Sequence, residues 1–267
     1  MDKQLQEAIA GAEAYESLHV PSLFQEWAPR LLDAADVVAG HNVLDVACGT
    51  GILARTAKNR VGPSGGVVGV DPNPGMLAVA AKLDARIDWR SGTAEELPVE
   101  DQTFDRVVSQ FGMMFFADPE RAVEEMVRAL VPGGQFSIAV WDSLENTPAY
   151  AREVELLDRM AGVDAANALR APFVLGSAPA VVDLIERASG CSVVVSTIVG
   201  RGRFPSIRSM VEADLRGWLP VMGVELEEDL ILEILAAAEQ ELSEFVRPDG
   251  GTDFDSPAHV FAGRKAA

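Results

Sequence analysis

A chain of 267 residues, 48% apolar and 24% charged, can bury a substantial core without disulfide or metal staples. Its 41 acidic residues against 22 basic ones leave a formal net charge of −19, and no run of Lys or Arg interrupts that excess. Nucleic acids and anionic membrane surfaces, which need cationic patches to replace their counterions, are disfavoured as partners, and a small molecule is the expected ligand. Cys48 and Cys191 match no zinc spacing and read as reduced thiols, so no metal is expected. The opening MDKQLQEAIA lacks the basic-then-apolar order of a signal peptide, and no apolar run reaches the length of a membrane span. A cytoplasmic protein is expected, as a monomer or a dimer.

Residues 1–40 read as helical, with Leu23, Trp27, Leu31 and Leu32 at helical spacing and Pro21 interrupting upstream. The period then shortens. NVLDVAC (42–48), GVVGVD (66–71), a weaker run at Ala85–Trp89, FDRVVSQ (104–110) and GQFSIAVW (134–141) are short apolar strands. Between them, Asn73 and Pro74 open one helix and Asp118 and Pro119 another. The second carries an apolar face of Ala122, Val123, Met126, Val127 and Leu130, and Pro132 with Gly133–Gly134 is expected to stop it. Strands that are nearly all apolar, alternating with helices, predict a doubly wound, mostly parallel α/β sheet covered on both faces. Helices at 143–190 and 205–248 and closing strands at 191–204 and 251–265 extend a core at 41–142, with 1–40 as a helical lid, all within one domain.

The stretch DVACGTG (45–51) carries the chemistry. A strand running into Gly-x-Gly and then a helix lets a ligand approach bare backbone and free N–H groups. GTGILA (49–54), with Asp71 ending the next strand, also fits a relaxed dinucleotide fingerprint, so a nicotinamide-dependent oxidoreductase stays open on this pattern alone.

With Asp45 at its head, the stretch resembles motif I of the class I S-adenosylmethionine-dependent methyltransferases. VDPNPGML (70–77), SGTAEELP (91–98), FDRVVSQFGMMFFADP (104–119) and RALVPGGQFSIAVW (128–141) resemble later motifs of that family, in its order. The likeness is closest to the small-molecule branch of quinone-biosynthesis and natural-product enzymes (methyltransferase type 11). It implies a Rossmann-like seven-stranded fold and a methyltransferase using S-adenosylmethionine, with S-adenosylhomocysteine as product. The reaction implied is in-line transfer to oxygen, nitrogen or carbon of a small acceptor. An enzyme that binds this cofactor for a non-methylating reaction, or a non-catalytic binding protein, would carry the same motifs.

The resemblance also implies roles. Asp45 faces the cofactor's ammonium; Ala47, Gly49, Thr50 and Gly51 pack against its methionine moiety and sugar; Asp71, followed by Pro72, grips the ribose; Met76 flanks the adenine. Thr93 stands where the family has an acid, so Ala94 or Glu95 is expected to read the ring edge. Ser109 and Gln110 lie at the mouth where cofactor and acceptor meet. Met113 and Met114, within an apolar run that suits core or pocket equally, join Trp141 and Phe173 as candidate pocket walls. Tyr15 and His19, four residues apart on one helix face, are the candidate catalytic residues, with Tyr15 near the sulfonium; packing roles suit them equally. His259 reads as structural, and His41 is expected at the far end of the sheet.

Overall fold

The computed structural model describes residues 3–267. Helix α1 (Lys3–His19) runs into a π turn (Val20–Phe24) and then α2 (Trp27–Ala34). Next come β1 (Asn42–Val46), α3 (Ile52–Val61), β2 (Gly66–Asp71), α4 (Pro74–Leu83), β3 (Asp88–Ser91), β4 (Phe104–Gln110), α5 (Pro119–Ala129) and β5 (Leu130–Trp141). Helices α6 (Pro148–Met160), α7 (Val163–Arg170) and α8 (Ala178–Ser189) precede β6 (Val193–Gly202). Helix α9 (Ile207–Ala213) passes through a second π turn (Asp214–Trp218) into α10 (Leu219–Val221), and α11 (Glu228–Glu241) leads to β7 (Phe254–Arg264).

The strands form one sheet in the order β3-β2-β1-β4-β5-β7-β6. All neighbours pair in parallel except β7, which runs antiparallel to both β5 and β6. Burial on both faces explains the apolar strand runs: in β1, Val43, Leu44, Asp45 and Val46 are all buried. One apolar cluster gathers Leu31 and Leu32 of α2, Leu53 and Ala57 of α3 and Leu156 and Leu157 of α6. The other gathers Val123 and Met126 of α5 and Val181 and Ile185 of α8. Each fully buried side chain of this size contributes roughly 1.5–3 kcal/mol.

The order reverses between β1 and β4, one neighbour chain leading to β2 and β3 and the other to β5. Open α/β sheets bind ligands at such a switch, beyond the carboxyl ends of the strands. Both strands end there in left-handed backbone: Ala47 (φ 57°) and Phe111 (φ 56°) are the first residues past β1 and β4. A non-glycine residue held so costs about 1–3 kcal/mol, which the surrounding packing must offset.

Two boundaries differ from expectation. Helix α5 ends at Ala129, before Pro132, and Leu130 and Val131 are already extended. The residue before a proline is driven out of the helical region, and pairing of Leu130 with Phe104 fixes the early start of β5. Strand β3 lies at Asp88–Ser91, shifted from Ala85–Trp89; as an edge strand with no fully buried residue, it carries little hydrophobic pattern. The caps fall where the sequence puts them. Asn73 Oδ1 accepts from the N–H of Gly75 (2.8 Å) and Met76 (3.3 Å), and Asp118 accepts from Arg121 (3.0 Å). No single helix among the described residues is long and apolar enough to cross a membrane.

Candidate active site

A cavity of about 430 Å³ opens at the switch point. Its floor is the turn after β1. Gly49 (φ 54°) has open space where a Cβ would stand, so ligand can approach the backbone, and its N–H donates to Asp71 Oδ2 at 2.8 Å. Gly51 has a different task from the one expected of it. It does not line the cavity; a Cβ there would lie 2.3 Å from Trp89 Cη2, and its φ of 86° suits glycine alone. Gly51 thus seats β3 against the start of α3.

Asp45 is 1% exposed, and neither carboxylate oxygen has a hydrogen-bond partner. Burial pushes its carboxyl well above the usual range; the backbone N–H of Ala54, which faces it without the geometry of a formed hydrogen bond, pulls it back, and Asp71 nearby adds to the rise. Such a group is costly to keep unless a cation or donor meets it. Asp71 is held at both ends: Oδ1 accepts from Asn73 N–H and Oδ2 from Gly49 N–H, each at 2.8 Å. Burial raises its carboxyl too, and the two backbone donors pull it back. Its two oxygens are thereby fixed as a fork, with lone pairs left for a vicinal diol.

Ala47, Thr50, Pro72, Met76, Thr93, Ala94, Glu95 and Gln110 all line the same cavity, and Thr50 Oγ1 is buried without a partner. Glu95 Oε1 accepts from Ala117 (2.8 Å) and Asp118 (3.3 Å), so that carboxylate braces the entry to α5. Ser109 is fully buried outside the lining. Met113 and Met114 are also off the cavity: Met113 is buried in the cluster under α5, and Met114 packs on both clusters. The short 3₁₀ turn at Met113–Phe115 turns the run over, so that Phe115 and Phe116 line the cavity instead.

The upper wall is aromatic. Trp141 stacks on Phe111 with centroids 3.7 Å apart and planes 8° from parallel, and Phe24 leans on both. Phe173, Trp218 and Leu169 complete it, with Phe115 against Trp218. Helix α1 closes the near side. Gly75 lets it approach α4, where a Cβ would strike the Ala8 carbonyl at 2.4 Å, and Glu16 pairs with Arg55 at 2.7 Å.

Tyr15 and His19 both face the cavity from α1, their rings stacked at 5.6 Å. Burial of the Tyr15 phenol, with Glu16, Asp71 and Asp45 close by, pushes its ionisation up, which disfavours it as a base. His19 is buried, with Nε2 3.3 Å from Asp214 Oδ1 and Nδ1 without a partner. Asp214 and Tyr150 line the cavity and Glu153 lies fully buried behind them. No sequence signal marked these three: they sit in helices far along the chain, with no motif around them.

His259 is buried between Thr197 Oγ1 (2.8 Å), Gly176 O (3.1 Å) and Asp142 Oδ1 (3.1 Å), ties that hold β7 to its surroundings. His41 accepts from Val38 N–H at the entry to β1, away from the cavity. Among the described residues no group of His, Cys, Asp and Glu is arranged to hold a metal.

Comparison with known proteins agrees with this geometry. Residues 44–138 match the family model described as a methyltransferase domain. The ubiquinone/menaquinone biosynthesis C-methyltransferase UbiE of Xylella fastidiosa is 39% identical over 119 residues, 42% of this chain and 47% of that protein. The chain thus spans about half the length of the curated relatives it matches. A methyltransferase from an antibiotic biosynthesis pathway of Anabaena variabilis superposes with a TM-score of 0.64 at 16% identity, over 88% of this chain and 96% of that one. Phosphoethanolamine N-methyltransferase 2 of Haemonchus contortus superposes at 0.61 and 19% identity, over 97% and 58%. The match to a methyltransferase domain runs from β1 to β5, the part of the sheet that reverses at β1 and β4 and carries the bare turn between two buried aspartates.

Proposed function

We propose that the chain transfers a methyl group from S-adenosylmethionine to a small, largely apolar acceptor with an aromatic or quinone-like ring. The observation that carries this reading is Asp45, a buried carboxyl with two orphaned oxygens on the cavity floor. A ligand ending in an ammonium answers it. The residues present fit the rest of the cofactor: the Asp71 fork would hold the ribose hydroxyls, the Gly49 backbone would lie against the amino-acid moiety, and Met76, Thr93 and Ala94 would border the adenine. When bound, the cofactor supplies a methyl carbon already activated by a sulfonium.

What the chain adds is alignment and exclusion of water. The Phe111–Trp141 stack and Phe24, Phe173 and Trp218 form a dry wall against which a flat acceptor can lie. Residues 143–190 contribute Tyr150, Leu169, Pro172 and Phe173, and residues 205–248 contribute Asp214 and Trp218. These segments form the acceptor side, the core at 41–142 the cofactor side, and residues 1–40 a lid. The quinone C-methyltransferase relative supports an aromatic acceptor.

Calorimetry tests the cofactor and labelled methyl transfer the reaction. S-adenosylhomocysteine is expected to bind and NAD not to bind, and radiolabel from S-adenosylmethionine is expected in hydroquinone-type acceptors. Uptake of NAD without S-adenosylhomocysteine would overturn the reading. Turnover of an acceptor with no S-adenosylhomocysteine released would instead assign a non-methylating reaction.

A further inference from the structure

We infer that His19 is the general base for the acceptor and that Asp214 positions it, so the acceptor is a neutral O–H acid such as a phenol, an enol or a hydroquinone. The inference rests on the methyl-transfer reading and deepens it. Its geometric basis is the pair itself, with Nε2 of His19 3.3 Å from Asp214 Oδ1 and Nδ1 left bare on a ring that lines the cavity. With Asp214 accepting from Nε2–H, Nδ1 is the nitrogen with a lone pair to offer.

The backbone offers a second, independent observation. Among the described residues, two segments are π-helical, and they flank this pair: His19 directly precedes Val20–Phe24, and Asp214 opens Asp214–Trp218. A π turn is rare, and where it interrupts an α-helix it is frequently found at a functional site. Two such turns meeting at one His–Asp hydrogen bond, joined across 195 positions of chain, would be an expensive way merely to pack an aromatic ring.

The groups facing the pair bear on where its charge lies. Tyr15 of α1 stacks on His19, and Glu153 and Tyr150 of α6 face Asp214 from the other side. Glu153 is fully buried with neither oxygen bonded; burial first, then the Asp214 charge, push its carboxyl well above the usual range. Burial raises Asp214 as well, but the bond from His19 pulls the other way, so of the two carboxyls Asp214 is the one that gives up its proton more readily. The proton step then balances. The acceptor O–H bond breaks, its electron pair stays on the acceptor, and the proton goes to Nδ1. The resulting imidazolium is held by the Asp214 carboxylate through Nε2–H. The acceptor's electron pair is thereby available for the bond to carbon, made from oxygen or from a ring carbon conjugated to it.

Proton–nitrogen correlation spectra of protein labelled at histidine read the tautomer directly, with only three histidines to assign. His19 is expected with its proton on Nε2 and a bare Nδ1. Asp214→Asn is expected to lose that preference, because its amide can present an N–H to Nε2. In parallel, para-nitrophenol added to the S-adenosylhomocysteine-loaded protein below the phenol's own pKa is expected to develop the phenolate absorbance. His19→Gln removes the group that takes the proton and should abolish that band, while S-adenosylhomocysteine affinity is retained. Wild-type His19 protonated on Nδ1, no phenolate band with the wild type, or a band that survives His19→Gln each overturns the base assignment. Failure to bind S-adenosylhomocysteine overturns the cofactor reading instead, and the tautomer, measured without ligand, still judges the pair.

Discussion

Replacing Asp45 by Asn is expected to move stability and affinity in opposite directions. The side chain is buried with both oxygens unbonded, so in the ligand-free protein it is a burden. A buried polar group without a partner costs about 1–3 kcal/mol, more when charged. Asn keeps the shape and removes the ionisable group, so the ligand-free variant should gain about 1–2 kcal/mol, raising Tm by roughly 2–8 °C for a chain of this size. With ligand the sign reverses. Removing one partner of a buried ion pair costs about 3–5 kcal/mol, so affinity for S-adenosylhomocysteine should fall roughly a hundredfold or more. The pH dependence follows from the raised carboxyl. The folded state keeps the proton to higher pH than the unfolded chain does, so wild-type stability declines as pH rises through and above the ordinary carboxylate range. The advantage of the variant should therefore be small in acid, where both states are protonated, and grow towards neutrality. Calorimetric unfolding across pH, with and without S-adenosylhomocysteine, measures both halves. A ligand-free variant less stable than wild type, or one that binds as tightly, would refute the assignment of Asp45 as an unpaired carboxyl awaiting a cation.

Three further outcomes are expected. Gly51→Ala combines a left-handed backbone with a 2.3 Å approach to Trp89, so urea unfolding should report a loss of about 2–5 kcal/mol; a loss below about 0.5 kcal/mol would contradict that packing role. Tyr15→Phe should lower turnover less than tenfold, since a phenol whose ionisation burial pushes up is disfavoured as a base; a loss in the range of about 10²–10⁴ would restore it as one. Asp84, held at a pKa of about 2 chiefly by hydrogen bonds from Arg86, contributes stability above its unfolded value of 3.8 that is lost as pH falls towards 2. Because Arg86 is solvent-exposed, Asp84→Asn should cost only about 1 kcal/mol at neutral pH, and the difference from wild type should vanish in acid titrations followed by circular dichroism.

What could be read in advance divides along the reach of each signal. The turn after β1, the Asp71 fork and the caps at Asn73 and Asp118 depend on neighbours within a few positions, and their residue types announce them. The role of Gly51 does not: glycine at 51 suits ligand approach and helix packing alike, and only the position of Trp89, fixed by pairing β3 to β2, separates the two. Met113 and Phe115 are equally apolar, and a single 3₁₀ turn decides which faces the cavity. Asp214, Glu153 and Tyr150 meet His19 only after α6 and α9 have packed over the sheet. Their buried acids break the apolar patterns that a periodicity reading follows, which is where a functional site is expected to escape it.

The antiparallel β7 has a consequence for how this molecule comes into being. Among the strands of the described residues β6 pairs with β7 alone, and β7 lies between it and β5. During synthesis β6 emerges some fifty residues ahead of the only strand that can receive it, its ladder groups meanwhile exposed to any other chain nearby. Residues 254–264 must then slide into a slot with two walls, completing both ladders at once. Nascent-chain assembly therefore finishes in the interior of the sheet, and a release delayed just short of Phe254 would leave a protein with the cradle around Asp45 and Asp71 built and one flank still adhesive.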